Sequence, residues 1–107
     1  RAINEEERGI LRLLFSVDFP GVDVLRAQAG TVREVEASCT CGCPSVTPLV
    51  ERTAVPAARS RSLLPVELIE VARADGLPRT VLCFVDEGGY IGNLECVYYD
   101  ETLPQWP

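Results

Sequence analysis

The sequence predicts an α+β fold in which two N-terminal helices pack on an antiparallel sheet of about five strands, a hairpin followed by a meander. Apolar residues recur at helical spacing up to Gly30. Beyond Gly30 they alternate with polar residues, as in a strand with one buried face. The later apolar segments are separated by short connections that contain glycine. These connections favour antiparallel pairing, because a parallel pair needs a crossover of about a dozen residues or more.

The chain of 107 residues is predicted to form a single domain, helical over residues 1–30, a sheet over residues 31–101 and a tail over residues 102–107. Its apolar runs are too short to cross a bilayer. The three glutamates at residues 5–7 precede the first apolar cluster, where a secretory signal would carry positive charge. We therefore expect a soluble, cytoplasmic protein.

The first helix is predicted to begin after Asn4, because Asn4 and Glu7 have the spacing of a capping box. An apolar stripe over residues 10–17 continues this helix. The second helix is predicted to begin with Pro20 in its first turn and to stop at Gly30, because proline favours the start of a helix and glycine its end.

Alternation over residues 35–43, with Val35 and Ala37 on the apolar side, predicts a half-buried strand that leads into a cysteine-rich turn. Residues 45–51 are predicted to return as the second arm of a hairpin, and residues 52–62 to form an exposed loop. Three further strands are predicted, over residues 66–74, 80–86 and 91–99. Residues 81–85 contain no polar side chain, so they predict a central strand covered on both faces, with Leu82 and Phe84 in the core.

The last two strands are predicted to be joined by a two-residue loop at residues 88–89, because glycine adopts a positive φ at both positions without cost. This loop places Cys83 opposite Leu94 and makes Cys83 and Cys96 diagonal neighbours, too far apart for a disulfide. A loop at residues 89–90 would place the two cysteines opposite each other. We expect both to be buried thiols without a bond.

Charge and composition exclude several classes of function. The net charge is -6, all ten basic residues are arginines, and histidine is absent. An acidic chain without a basic patch is a poor ligand for nucleic acid or an anionic membrane surface, so neither partner is expected. Without histidine the chain lacks the commonest general base, and no catalytic residue is identified. An enzyme is therefore the least expected class.

The main chemical motif is C-T-C-G-C-P at residues 39–44. Cys39, Cys41 and Cys43 are candidate ligands for Zn²⁺ or a soft ion such as Cu(I), together with a fourth ligand. Ordinary zinc knuckles place two residues between cysteines and use two such pairs, so no cofactor is expected and zinc remains the alternative. The favoured interpretation is structural thiols, because cysteine is among the most buried residue types. A disulfide or a redox-responsive pair within the cluster is the third alternative.

Two aromatic residues, Tyr99 and Trp106, are candidate interface residues, because aromatic side chains are enriched at binding hot spots. The alternative interpretation is that these two side chains cover the edge of the sheet. The acidic surface, the sheet and the aromatic tail favour a non-enzymatic binding protein, a small inhibitor- or immunity-type module that covers a basic protein partner. Association of two copies of this chain into a homodimer is the alternative to a basic partner protein. The alternative function is a thiolate metal-binding or redox-responsive protein that uses the cysteine cluster.

Three short motifs are distributed along most of the chain. They are D-F-P-G at residues 18–21, C-G-C-P at residues 41–44 and L-E-C-V-Y-Y-D-E at residues 94–101. In these motifs the chain resembles a group of small uncharacterised bacterial proteins, chiefly from actinobacteria. The resemblance implies a bacterial protein but carries no known activity, so it assigns no functional residue.

Overall fold

The computed structural model describes residues 1–38, 40, 42–59, 63–69, 78–98 and 105–107. Within these ranges the elements are α1 (Glu5–Leu14), α2 (Val22–Thr31), β1 (Val35–Ala37), β2 (Val46–Pro48), β3 (Leu63–Ile69), β4 (Thr80–Val85) and β5 (Ile91–Val97). The strands form one sheet in the order β1-β2-β5-β4-β3, and every neighbouring pair is antiparallel. The predicted α+β class is therefore confirmed.

The sheet combines a β1–β2 hairpin with a β3–β4–β5 meander. The hairpin joins the meander at its last strand, where Val46 of β2 pairs with Leu94 of β5. Both helices lie on one face of the sheet, with α1 against β3 and α2 against β5. We call this covered side the inner face and the opposite side the outer face. No helix in the described ranges is long and apolar enough to cross a membrane.

The capping box of α1 forms as predicted. The side chain of Asn4 accepts a hydrogen bond from the Glu7 amide at 2.8 Å, and the Asn4 amide donates to the Glu7 carboxylate at 3.1 Å. The reciprocal pair satisfies two amides that the first turn of a helix leaves without a partner.

Helix α2 begins and ends later than predicted. The amide of Val22 donates to the carbonyl of Phe19 at 3.1 Å, and Gly21 adopts a φ of 89°, so Pro20 lies in a turn before the helix. Gly30 is itself helical. A glycine inside a helix costs only about 1 kcal/mol, so it does not by itself end one. The predicted roles of Pro20 and Gly30 are therefore wrong.

Burial in β1 departs from the predicted alternation. Val35 is buried, but Ala37 is exposed. β1 is a three-residue strand at the edge of the sheet, and it ends before a second inward position is covered. The prediction of a buried side is therefore confirmed at Val35 and wrong at Ala37.

The predicted exposed loop covers residues 52–62, of which residues 52–59 are described, and one of them packs against the core. Ala58 is buried, and its amide donates to the Gly89 carbonyl at 2.7 Å. Strand β3 begins at Leu63, earlier than predicted, and its predicted end lies outside the described residues. The loop prediction is wrong at Ala58, because this segment packs against the tip of the β4–β5 hairpin.

Strand β4 lies inside the sheet, between β5 and β3, as a central strand would, but it is not covered equally on both faces as predicted. Val81, Cys83 and Val85 are buried on the inner face. Leu82 and Phe84 point to the outer face and are only half-buried. The prediction that these two residues lie in the core is therefore wrong, because the helices cover one face of the sheet.

The register of the β4–β5 hairpin is the predicted one. Cys83 pairs with Leu94, and Val81 pairs with Cys96. Both cysteines are buried on the inner face as diagonal neighbours, and neither forms a disulfide. This part of the prediction is confirmed.

The turn that produces this register differs from the predicted one. The Asp86 amide donates to the Tyr90 carbonyl at 2.7 Å, so the loop comprises residues 87–89, and within it only Gly89 has a positive φ. A three-residue loop shifts the pairing by one residue. A bulge at Gly92, between the pairs Val85–Ile91 and Phe84–Asn93, shifts it back. The two-residue turn is therefore wrong, although the register is right.

Candidate functional site

Two of the five residues selected from the sequence lie in one cavity. Cys43 and Trp106 both line a cavity of about 370 Å³ between the start of α1 and the residues that lead into β2. Cys39, Cys41 and Tyr99 lie outside the described residues. The structure thus brings together a cysteine selected as a metal ligand and an aromatic residue selected as an interface anchor.

A buried carboxylate, Glu7, forms one wall of this cavity. Arg1 binds it with two hydrogen bonds, Nη1 to Oε1 at 2.9 Å and Nη2 to Oε2 at 2.7 Å. Burial alone would raise the pKa of Glu7, but hydrogen bonds from Arg1, the Asn4 amide and the Trp106 side chain outweigh it and hold the pKa below its ordinary value. Glu7 is therefore ionised at neutral pH, and its oxygens are occupied by partners within the chain.

Trp106 is packed within the protein. It is only 6% exposed and belongs to the main apolar core. The preceding residue, Gln105, accepts a hydrogen bond from Arg79 Nη1 at 2.7 Å through its carbonyl. The described end of the chain is thus fixed against the fold, and a role for Trp106 as an interface anchor stays a prediction.

The three described cysteines differ in their access to solvent. Cys83 and Cys96 are buried, whereas Cys43 is half-buried at the cavity. Burial raises the pKa of the Cys83 thiol to about 12, so this thiol is protonated and unreactive at neutral pH. Of the three, Cys43 is the thiol that solvent can reach.

Cys43 also lies close to the side chain of Tyr98. Burial and a hydrogen bond with Cys96 raise the pKa of Tyr98, and the electrostatic influence of Cys96 and Cys43 acts in the same direction. Cys43, Cys96 and Tyr98 therefore share one region at the end of β5. The described residues contain no group of three potential metal ligands. Because Cys39 and Cys41 are outside those ranges, zinc stays a prediction.

The outer face of the sheet is a second candidate site. Its middle row places Leu82 between Glu67 of β3 and Glu95 of β5, each in direct register. One neighbouring row pairs Phe84 with Leu63. Residues that pair directly project from the same face, so these side chains form one continuous surface.

The apolar part of this surface reaches solvent at β3. Leu63 is 45% exposed and Ile69 is 61% exposed, at the two ends of the strand. We define the outer patch by its apolar members and the two acids that flank its centre: Leu63, Ile69, Leu82, Phe84, Glu67 and Glu95. It combines exposed apolar side chains with negative charge.

The outer face becomes polar toward β2. There the Ser38 hydroxyl donates to Asn93 Oδ1 at 2.5 Å and lies 3.4 Å from the Thr47 hydroxyl. These three side chains satisfy one another, and Asn93 pairs with Phe84 at the border of the outer patch. The outer patch therefore occupies the β3–β4 side of the sheet and has a polar boundary.

Sequence reasoning missed the outer patch because residues 81–85 are apolar throughout. A usable signal lay in the neighbouring strand, where Asn93 and Glu95 alternate with Leu94 and Cys96. The predicted register pairs Leu82 with Glu95, and this pair would have assigned Leu82 to the polar face.

No protein-family model, curated protein or solved structure matches this chain. The resemblance to small actinobacterial proteins stays a prediction, and the function is inferred from the geometry of the two candidate sites.

Proposed function

We propose that this chain is a non-enzymatic, cytoplasmic binding protein, a small acidic module of the inhibitor or immunity type, which binds a basic partner protein on the outer patch. The observation that carries the proposal is the outer patch itself, where exposed apolar side chains surround a row with two glutamates.

The apolar side chains supply the first argument. A side chain as exposed as Ile69 contributes little to folding, and apolar surface left in water is a cost to the free chain. Leu63 pairs with the half-buried Phe84, and Ile69 pairs with the buried Thr80, which lies on the same face as Leu82, so a partner would contact apolar side chains at both ends of β3. Contiguous exposed apolar surface with a polar rim is typical of protein interfaces.

Charge supplies the second argument and selects the partner. Glu67 and Glu95 lie on either side of Leu82, and the whole chain has a net charge of -6. A basic partner would pair with these acids and would be steered toward them over a distance. A second copy of this chain would instead oppose the same acids to each other, which disfavours a homodimer through this face.

The test compares two double variants with equal changes in net charge. Glu67→Lys with Glu95→Lys reverses the charge of the outer patch. Glu51→Lys with Glu87→Lys reverses two exposed acids at loops elsewhere. Each protein is used to capture partners from a lysate of the source bacterium, and captured proteins are identified by mass spectrometry and titrated by calorimetry as purified proteins.

We expect the wild type and the loop variant to retain one basic partner, and the patch variant to lose it. Replacing both acids should weaken the purified complex at least tenfold, because close charge pairs across an interface are coupled. A partner that binds both variants equally, or one that is acidic, would refute the proposal. Circular dichroism of each variant establishes that it is folded.

A second candidate function, thiolate metal binding or redox response, is favoured by the position of Cys43. Its thiol is half-buried at the cavity, so the last member of the 39–43 cluster is reachable from solvent. Elemental analysis of protein prepared without added metal tests this function. One equivalent of zinc that Cys43→Ser abolishes and Cys83→Ser retains would support it, and protein without stoichiometric metal would count against the zinc form.

A further inference from the structure

The two helices enclose a groove that the proposed function does not use. The groove has a volume of about 410 Å³ and lies between α1 and α2, in the helical layer rather than on the outer face. Its rim carries three arginines, Arg8, Arg12 and Arg26, and its apolar lining comes from Leu11, Phe15 and Ala29. A volume in this range is typical of pockets for small molecules.

Two arginine bridges fix the ends of the groove. Arg8 Nη2 donates to the carbonyl of Val32 at 2.9 Å, which ties the middle of α1 to the end of α2. Arg26 Nε donates to the carbonyl of Phe15 at 2.7 Å, which ties α2 to the end of α1. The groove therefore has a defined width.

The positive charge at the rim is only partly compensated. Arg26 pairs with two exposed acids, Asp18 at 3.2 Å and Asp23 at 2.9 Å. Arg12, in contrast, is exposed and has no hydrogen bond or ion pair with any other described residue. Arg8 and Arg12 lie one helical turn apart on α1, where two like charges repel each other. An anion bound between them would relieve this repulsion.

The floor of the groove favours an apolar body. Leu11 and Phe15 are buried, and Ala29 and Gly30 present little side chain on the facing helix. A Cβ placed on Gly30 would meet no atom within 4 Å, so the groove is open at this position. A ligand that fits has a negatively charged head at the arginine rim and an aliphatic or aromatic body over the floor.

We infer that the α1–α2 groove is a binding site for a small amphipathic carboxylate. The carboxylate binds Arg12, with Arg8 contributing charge, and the apolar body lies on Leu11, Phe15 and Ala29. Arginine presents paired N–H donors that match a carboxylate, and such charge-assisted hydrogen bonds are stronger than neutral ones. This site does not depend on the outer patch, since the two lie on different layers of the fold.

The probe is decanoate, titrated into the full chain by calorimetry and followed by amide chemical shifts. Decan-1-ol has the same apolar body without the charge, and decylamine reverses the charge. Arg12→Gln removes the arginine that has no partner among the described residues. Arg33→Gln, at an exposed arginine outside the groove, is the matched control with the same change in net charge. Both positions are exposed, so both variants are expected to fold.

We expect saturable binding of one decanoate, with shifts concentrated at the amides of Arg12 and Gly30. Arg12→Gln should weaken binding about tenfold, and Arg33→Gln should leave it unchanged. Decylamine should not bind. Binding that Arg12→Gln leaves intact, equal affinity for decan-1-ol, shifts confined to the outer patch, or no saturable binding of decanoate would each overturn the inference.

Discussion

The inner and outer faces of the β4–β5 hairpin carry similar apolar side chains in different surroundings. On the inner face, Cys83 and Leu94 pair directly, and both are fully buried under the helical layer. On the outer face, Leu82 is half-buried and pairs with Glu95. Complete burial of a leucine stabilises a fold by about 1.5–3 kcal/mol, whereas a leucine left partly in water contributes less. The cover supplied by the helices, rather than residue type, separates a core position from a surface position.

Polar side chains on the two faces also have different surroundings. On the inner side Gln28 is fully buried, and its amide binds three backbone groups of neighbouring segments. On the outer side, Glu67 is exposed and pairs in register with an apolar residue. Buried polar groups require partners, whereas exposed acids are solvated by water. The buried polar group of the inner side therefore helps to hold the fold, while the exposed acid of the outer face is solvated.

The largest expected effect comes from a matched pair of leucines. Leu94→Ala should lower the free energy of unfolding by about 2–5 kcal/mol, because it opens a cavity in a packed core. Leu82→Ala, on the outer face of the same hairpin, should cost less than about 1.5 kcal/mol. Urea unfolding of both variants measures the difference, provided that the unfolding free energy depends equally steeply on urea concentration in both. Equal losses would show that the outer face is covered and would remove the basis of the outer patch.

Gln28 provides the next largest effect. Its Nε2 donates to the carbonyls of Pro56 and Gly89 at 3.1 and 3.0 Å, and its Oε1 accepts from the amide of Ile91 at 2.9 Å. Gln28→Met keeps the side-chain length but leaves the Ile91 amide buried without this acceptor. The expected loss is about 1–3 kcal/mol.

The matching measurement is local. Hydrogen exchange at the Ile91 amide should accelerate in Gln28→Met more than exchange at the Cys96 amide, which donates to the Ser45 hydroxyl at 2.9 Å and does not involve Gln28. An unchanged stability would mean that α2 is held to the hairpin by apolar packing alone.

A smaller, pH-dependent effect is expected at Glu7. The folded-state pKa of Glu7 lies below its ordinary value, so its contribution to stability is present above the unfolded pKa and is lost as pH falls through the folded pKa. Glu7→Gln should therefore destabilise the protein by about 1 kcal/mol at pH 7, because it removes the charge that pairs with Arg1, while glutamine still accepts from the Asn4 amide. Below about pH 4, where the carboxyl in the unfolded chain is protonated, this difference should shrink.

The control for this prediction is Glu6→Gln, an exposed neighbour in the same helical turn. Stability curves from pH 3 to pH 8 should converge for the wild type and Glu7→Gln at the acidic end, while Glu6→Gln should follow the wild type closely throughout. A difference at Glu7 that does not vary with pH would show that its carboxylate acts by packing rather than by charge.

The elements of the fold follow from local patterns. The capping box at Asn4 and Glu7 predicted the start of α1, because both partners lie within one turn. The register of Cys83 and Cys96 was also predicted, but two deviations that cancel, a three-residue loop and a bulge at Gly92, produce it. Pairing in a sheet depends on the sum of such shifts, so a correct register does not identify the turn.

The faces of the sheet were harder to predict than its strands. Residues 81–85 contain no polar side chain, so periodicity cannot say which side the helices cover. Ala37 was assigned to the inner face by alternation, yet it is exposed because β1 is short. The cavity that joins Cys43 and Trp106 depends on contacts between residues far apart in the chain, and local patterns hold no information about such contacts.

The smallest expected effect comes from Leu63, the first of two consecutive leucines of β3. Leu63 is 45% exposed on the outer face, and Leu64 is 3% exposed on the inner face. Leu63→Thr should change the free energy of unfolding by no more than about 0.5 kcal/mol, because threonine is a good strand former and its hydroxyl reaches water. Leu64→Thr should cost more than about 2 kcal/mol, because it removes buried apolar volume and places a hydroxyl in the core. Thermal and urea unfolding of both variants measure this contrast across a single peptide bond. If Leu63→Thr were as destabilising as Leu64→Thr, β3 would be covered on both faces, and Leu63 would not be available to a partner.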